Sequence, residues 1–491
     1  MRYKLITLFF ISIFNLASAK AQLIPQFIVD DIKHEIIEVD SINLSLEEKK
    51  ALVGQIENRR NMSYPDIDQL LEKYIEAKPI VAAALSTEII EIKPTEIKSQ
   101  QSHSIHQLDQ YIKNRIGVGT FDEVKKGQTD VLIFGGDINS LNEYLKVQTK
   151  IDFTNLKRIP SLYEQWGLSK FYASHQINGQ KAVLIWVVPP SIRYVRHYST
   201  MFSALPNVKV KSFVDLKAYE TVEKLSKSKA ESIIKKNKID YISFGYNRLW
   251  KKALAADVNL VLLGEYDVQD SVLQSALKVM QIYNKQSKQT TSIGLFSSEK
   301  TVWGELAAAQ LKSFLNPELK GLIFMGSAGS LMNEINPYDL SVPKAFYKPG
   351  QTIKIDNFIN QQKTILDANQ NIHFDRNHGN TFSPLEQNKK YVGRLEALNI
   401  QTLDVEQSLI AEAVSDYNRK NKTDIKFGAV NLITDKPFSV LTKESVKNSL
   451  DHLNSYLKEK ARLNAVKLSL ASILNNEKNN SNVKCVKLFS N

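Results

Sequence analysis

At 491 residues, with 43% apolar and 24% charged side chains, the chain is too long for one hydrophobic core and too apolar for disorder, so two or three globular domains are expected. Its net charge of +12 comes from lysines scattered along the whole length. The densest basic run, Lys224–Lys238, lacks the interleaved aromatics that stack on bases, which favours a solvated helix face over a nucleic-acid surface. The single cysteine, Cys485, excludes an internal disulfide and a CxxC zinc cluster, and no metal site is expected.

The first 21 residues read as a signal peptide. Arg2 and Lys4 precede an apolar stretch, Leu5–Leu16, too short to span a bilayer, and Ala17-Ser-Ala19 and Ala19-Lys-Ala21 both fit a small-x-small cleavage site. The expectation is an exported protein, periplasmic or secreted, with no membrane span. Residues 22–125 read as a helical region with a polar linker. Ser45-Leu-Glu-Glu48 is a capping box opening a helix to Arg59, and Ser63-Tyr-Pro65 opens another with Ile67, Leu70, Leu71, Tyr74 and Ile75 at helical spacing. The segment Lys93–Gln107 is polar and aperiodic; His103 and His106 within it, without a carboxylate or Cys partner, read as solvated loop residues.

From Asp130 strands and helices alternate, and 126–255 reads as an α/β module of unassigned role. Val131–Phe134 is a strand running into Gly135-Gly136, and Phe171–Ile177 and Ala182–Val188 flank the hairpin signal Asn178-Gly179. Val208–Val214 reads as a strand and Ser226–Lys236 as a helix. The Pro189-Pro190 loop and the pair Arg193/Arg196 fit a ligand or a solvated helix face equally well. Asn259–Leu263 then begins a second module, 256–475, with a helix over Val268–Val279 and a hairpin around Lys285–Gln289. That order suggests a diverged repeat with Gly136 and Gly264 as counterparts.

Helix Trp303–Leu315 leads into the apolar strand Gly321–Met325, which empties into the small-residue turn Gly326-Ser-Ala-Gly329. Asn336-Pro-Tyr-Asp339 is a turn before a strand over Val342–Phe346, and Lys348–Asn377 reads as polar surface loops. Helix Asp404–Arg419, strand Phe427–Ile433 and helix Lys443–Lys458 follow, and 476–491 is a polar tail.

Three later segments carry unusual local chemistry: His378-Gly-Asn-Thr-Phe-Ser383, read as a glycine turn beside an aromatic; Leu403-Asp-Val-Glu406, two carboxylates at a helix start; and Ala429-Val-Asn-Leu-Ile-Thr-Asp435, an apolar strand ending in Thr-Asp. Singly, each has a structural explanation: Asp404 as an N-cap, Glu406 complementing a helix dipole, Phe382 as core. As an ordered set, GSAGSL–x–D–VP, GNTF, DVE and a strand ending in TD, they resemble the nucleoside phosphorylase/nucleosidase superfamily. Within it they are closest to methylthioadenosine/S-adenosylhomocysteine nucleosidases and hexameric purine nucleoside phosphorylases. The resemblance covers about Leu260–Arg462.

It implies an α/β fold with a phosphorylase-like mixed central sheet flanked by helices in the C-terminal half, behind the second α/β module and the N-terminal helical region. It also implies roles. Asp435, oriented by Thr434, would protonate the departing purine; Glu406, beside Val405, would accept hydrogen bonds from the ribose hydroxyls; Phe382 would stack on the base. Ser327 and the backbone of Gly326, Ala328 and Gly329 would meet the ribose or the nucleophile. Relatives carry a glycine-rich phosphate loop where this chain has Phe296-Ser-Ser-Glu-Lys300, leaving Lys300 and Ser298 as candidate anion contacts and Glu299 opposed to phosphate. Hydrolytic relatives place a water-activating glutamate after the first strand, for which Glu265, Asp267 and Asp270 are available.

The expected activity is that of an exported nucleosidase without a cofactor, acting on a purine nucleoside. A phosphorylase using phosphate as co-substrate, and a nucleoside-binding or host-interacting protein without catalysis, are the alternatives. A homo-oligomer is the family expectation.

Overall fold

The computed structural model describes residues 89–94, 108–116, 118–127, 129–136, 141, 156–159, 169–173, 182–216, 230–270, 275–298, 304–361, 371–387, 389–436 and 455–480. The expected signal peptide, the helices from 45 and 63, the two linker histidines, the Asn178-Gly179 turn and Cys485 lie outside the described residues.

The upstream module holds a six-stranded sheet. In chain order it contains β1 (Ile89–Glu91), α1 (Leu108–Ile116), α2 (Val118–Lys125), β2 (Thr129–Gly135), β3 (Leu156–Ile159), β4 (Ser169–Ala173), β5 (Ala182–Val188), α3 (Ile192–Ser203) and β6 (Val210–Asp215), with sheet order β1-β6-β2-β5-β4-β3. Strand β2 lies parallel to β5 and β6, and β4 pairs antiparallel with β5, as the hairpin reading requires. Apolar residues on alternate positions of β2 and β5, Val131, Ile133, Trp186 and Val188, bury against Tyr194, Tyr198 and Phe202 of α3. The Trp186 and Tyr198 rings stack with centroids 5.4 Å apart.

The second module contains β7 (Tyr241–Phe244), α4 (Trp250–Ala255), β8 (Leu260–Asp270), β9 (Ser275–Asn284), β10 (Gln289–Ser298), α5 (Glu305–Lys312), β11 (Gly321–Ser330), β12 (Leu340–Lys348), β13 (Gln351–Ile353), β14 (Ile372–Asn380), α6 (Lys389–Ala397), β15 (Thr402–Asp404), α7 (Gln407–Asn421), β16 (Lys426–Asp435) and α8 (Ser455–Asn480). Strands β10, β7, β11 and β16 run parallel at the centre. Beyond them the sheet closes on itself, because β11 pairs with β15, β15 with β14, β14 with β12, β12 with β16, and β16 with β11. One face buries Ile323, Met325, Val430 and Leu432 under α8 and α4, and the other buries Phe324, Phe296 and Ala429 under α5, α7 and a helix over 230–237. The modules share a core: Leu306 and Ala307 of α5 pack among the aromatics of α3.

Several local expectations differ from the structure. Strand β7 belongs to the second sheet, so that module begins before the expected boundary at 255/256. Of the expected helix over 268–279, residues 268–270 belong to β8 and 275–279 to β9. In β9 Leu277 and Val279 face inward about Lys278, a period-two pattern that fits a strand. Without that helix the suggested repeat around Gly136 and Gly264 has no counterpart. Gly326–Gly329 is not a turn, because β11 runs straight through it, as β14 runs through Gly379. Small residues there let β11 pair with β16 on one side, and with β7 and then β15 on the other. Within 348–377, Asn357, Phe358 and Ile359 are buried core rather than surface loop.

The expected polar tail also differs, since α8 continues to Asn480. Glu477 on it is 9% exposed and accepts from Tyr241 Oη at 2.7 Å and Lys320 Nζ at 2.8 Å. Burial, with the Glu477 charge second, pushes the Tyr241 phenol well above its ordinary range. Glu477→Ala strands that hydroxyl and one lysine contact, so it should lower the unfolding free energy by about 2 kcal/mol in a urea titration. An unchanged midpoint would mean the tail is not part of the fold.

Candidate functional site

Chain order scatters the candidate residues; the closed sheet gathers them. Strand β16 ends at Asp435, which pairs in register with Gly329 of β11. Gly329 in turn faces Leu403 of β15, and Asp404 faces Asn380 of β14. The ends of four consecutive strands thus meet along one rim, the position where open α/β sheets hold ligands. At Asp435 the carboxylate Oδ1 accepts from Thr434 Oγ1 at 2.9 Å, which fixes its rotamer.

Asp404 serves as a cap. Its carboxylate accepts from the backbone amides of Glu406 (3.2 Å) and Gln407 (3.0 Å), and its Oδ1 lies 3.0 Å from His378 Nε2. His378 also bonds Thr402 Oγ1 at 3.0 Å, and Gln407 exchanges two 2.9 Å hydrogen bonds with Asn431 of β16. This buried polar set ties the start of α7 to three strands. Glu406 is the N-cap residue of α7, half-buried, and its side chain makes no capping hydrogen bond. Burial, and then the neighbouring Asp404 charge, hold its pKa well above the usual carboxylate range; the Val405 backbone and Arg193 pull the other way.

The upstream module reaches into this rim. Arg193, on the first turn of α3 and 9% exposed, donates from Nη1 to Asn380 Oδ1 (3.0 Å), Thr381 O (2.9 Å) and Val405 O (3.1 Å). Its Nε lies 3.0 Å from Glu305 Oε2, and Glu305 Oε1 accepts from the Arg193 amide and from Ser191 Oγ, the cap of α3. Gly304, at φ +65°, leaves room for this side chain, since a Cβ there would sit 2.8 Å from Arg193 Cδ. Burial lowers the guanidinium's pKa, opposed by Glu305, Glu406, Asp404 and Glu386. Arg193 and Arg196 both lie over the Phe382 ring, at 4.7 and 4.3 Å from its centroid. The ring expected to take a base therefore already carries two cations.

On the other side of Gly326, Tyr246 follows β7. Gly245, at φ +97°, brings the chain so close to β11 that a Cβ would lie 2.0 Å from Met325 O, and the Tyr246 hydroxyl donates to Gly326 O at 2.8 Å. Burial raises that phenol's pKa, while Arg462, whose Cζ lies 5.2 Å over the ring, and then Ser327 oppose it. Ser327 itself is exposed.

The sequence-expected residues thus divide. Asp435, Thr434, Gly326, Ala328, Gly329, Val405 and Glu406 sit on the adjoining strand ends and the helix start that follows them. Asp267 does not, because it lies on edge strand β8, four strands from β11 or roughly 19 Å, and ion-pairs with Lys278 at 3.4 Å. Glu265 there pairs with Lys251 at 2.6 Å. The first strand of the module is β7, and Gly245-Tyr246-Asn247-Arg248 after it contains no carboxylate, so no water-activating glutamate stands at that place. Ser298 ends β10, while Lys300 lies outside the described residues. A cleft of about 510 Å³ between α5, α7 and residue 231 shares Glu305 with the rim and contains none of Asp435, Glu406, Phe382 and Ser327. Among the described residues no three His, Cys, Asp or Glu side chains group as metal ligands. The sequence reading missed Glu305, Tyr246 and Arg462, and left Arg193 undecided.

No protein-family model matches the chain, and no curated protein matches it in sequence. Solved structures similar to it include a methylthioadenosine phosphorylase from an Antarctic soil metagenomic library, with 10% identity and TM-score 0.36, covering 49% of this chain and 88% of that one. A purine nucleoside phosphorylase from Toxoplasma gondii gives 11% identity and TM-score 0.36 over 49% and 91%. A 5'-methylthioadenosine/S-adenosylhomocysteine nucleosidase from Neisseria meningitidis gives 10% and 0.32 over 47% and 97%. These are proteins of the group named by the motifs. Likeness at that level decides nothing about what this chain does, which rests on its own residues.

The raised Glu406 pKa has a signed consequence. Stability associated with the protonated carboxyl is fully present below the unfolded glutamate value and is lost as pH rises through the higher folded value. Glu406→Gln should flatten that decline, with a melting temperature above wild type by on the order of 2 °C at pH 8 and no gain at pH 4. A difference independent of pH would show that Glu406 is ionised normally.

Proposed function

We propose that this protein cleaves the N-glycosidic bond of a purine nucleoside. The observation that supports the reading is register: Asp435 of β16 and Leu403 of β15, three residues before the half-buried Glu406, pair with Gly329 of β11 from opposite sides. Cleavage of such a bond develops positive charge on the sugar and negative charge on the base. Asp435, held by Thr434, delivers a proton to the base, and Glu406 accepts hydrogen bonds from the ribose hydroxyls. Ser327, exposed and beside the Tyr246 hydroxyl, is the residue assigned to meet the ribose or the nucleophile. Phe382 lies under Arg193 and Arg196, a departure from free base stacking. No cofactor takes part.

Water is the first-choice nucleophile, because Glu299 and the loss of glycines in Phe296–Lys300 disfavour phosphate. Phosphorolysis is the second reading, and one observation favours it: Arg462 and the Tyr246 hydroxyl stand beside Gly326 and Ser327, where hydrolytic relatives were expected to offer a glutamate. We read the first 21 residues as a signal peptide, which makes the mature protein periplasmic or secreted; amino-terminal sequencing of the exported form, beginning near Lys20 or Gln22, checks this.

Mature protein incubated with adenosine, inosine, methylthioadenosine or S-adenosylhomocysteine should release free base without phosphate. Release only with phosphate selects the second reading, and no release from any of them refutes the proposal in favour of a binding protein. Asp435→Asn should lower turnover at least ~100-fold while leaving the melting temperature nearly unchanged. A comparable rate in that variant would remove Asp435 from the mechanism.

A further inference from the structure

The upstream module has no part in the chemistry just described, yet it contributes a buried, multiply bonded side chain to the rim. We propose that Arg193 is a positioning residue of the nucleoside site, clamping together the segments that carry Phe382 and Glu406, so that the upstream module is a working part of that site. The proposal rests on the nucleoside reading for the word "site"; the clamp itself rests on geometry alone.

The guanidinium bridges three stretches of chain. Nη1 spreads its two hydrogens over Asn380 Oδ1 and Thr381 O, which precede Phe382, and Val405 O, which precedes Glu406. Nε engages Glu305 at the head of α5, and the same carboxylate holds the α3 cap through Ser191 and the Arg193 amide. The two clamped segments also bond each other, since the Thr381 amide donates to Asp404 O at 2.8 Å. Neighbouring contacts reinforce the junction: Arg196 lies over Phe382 and 3.7 Å from Glu386, and His197 Nδ1 is 2.8 Å from Ser383 Oγ. A lysine cannot replace this fork, because an ammonium is a point charge without the planar array that reaches several acceptors at once.

A solvated helix face explains none of this. Arg193 is buried, its acceptors are two backbone carbonyls and one amide oxygen, and Gly304 takes a left-handed conformation where a larger residue would displace it. Two of the clamped carbonyls lie next to the residues that would touch base and sugar. A shift of about 1 Å in such segments is enough to cost a large factor in binding or rate.

The test compares full-length mature wild type with Arg193→Lys and with Arg193→Met/Glu305→Gln, the second removing both charges so that neither is orphaned in the junction. Hydrogen–deuterium exchange is followed in peptides covering 378–383 and 403–407, with the Thr381 amide as reporter and the interior of α3 as internal control. Faster exchange in both peptides, with α3 unchanged, is expected in each variant. For base release, Arg193→Lys should raise KM about tenfold or more with kcat altered less than about threefold, the signature of a displaced binding contact. In Arg193→Ala, guanidinium ion at about 10 mM should restore protection at Thr381 where sodium at the same concentration does not, which a merely structural loss of packing would not show. Wild-type exchange rates in both peptides of the lysine and double variants, or an unchanged KM, would overturn the proposal. Absence of base release from wild type would instead overturn the nucleoside reading, and the exchange comparison would still decide the clamp.

Discussion

A positive charge buried between two modules must be matched on every side, and that requirement organises the middle of this molecule. Arg193 leaves water only because two carbonyl oxygens, one amide oxygen and Glu305 replace its hydration. Each of those partners is set by something else: Thr381 and Asn380 by the end of β14, Val405 by the Asp404 cap, Glu305 by the first turn of α5. Removing any one leaves a charge short of a partner, so the cap of α3, the rim of the second sheet and the head of α5 hold their places jointly.

Beneath that junction the closed ring of β11, β15, β14, β12 and β16 supplies rigidity of another kind. Polar side chains line its interior, and two pairs of them are bonded to each other: Gln407 with Asn431, and His378 with Thr402. A half-satisfied network there would cost more than an apolar filling, whereas a well-paired one specifies a single arrangement of the strands. The candidate acid and the candidate sugar contact sit at the edge of this ordered set, Asp435 at the end of β16 and Glu406 at the start of α7.

Much of this could be read from the chain, for reasons that vary by element. The strands Gly321–Met325 and Ala429–Ile433 are short, apolar and bounded, so composition alone identified them, and the ordered motifs singled out Asp435 and Glu406 as candidates. The small-residue run Gly326–Gly329 was misread as a turn because local rules see glycine as a breaker, while here it allows a strand to carry neighbours on both sides. Residues 268–270 and 275–279 were misread because a short apolar segment fits either period until its hairpin partner is known. Arg193 was undecidable from its own surroundings: it lies far along the chain from Asn380 and Val405, and only the shared core of α3 and α5 brings them together.

The last helix has an implication for how the protein is made. Tyr241 begins the innermost strand of the second sheet, and its hydroxyl is satisfied by Glu477 and Asn476, close to the end of the chain. During synthesis more than two hundred residues of that module must therefore emerge before its central strand has a complete environment, so its core closes late relative to the appearance of its first strand. A strand that waits on so distant a partner makes the second sheet a pairing of high sequence separation, and such pairings set the pace of folding.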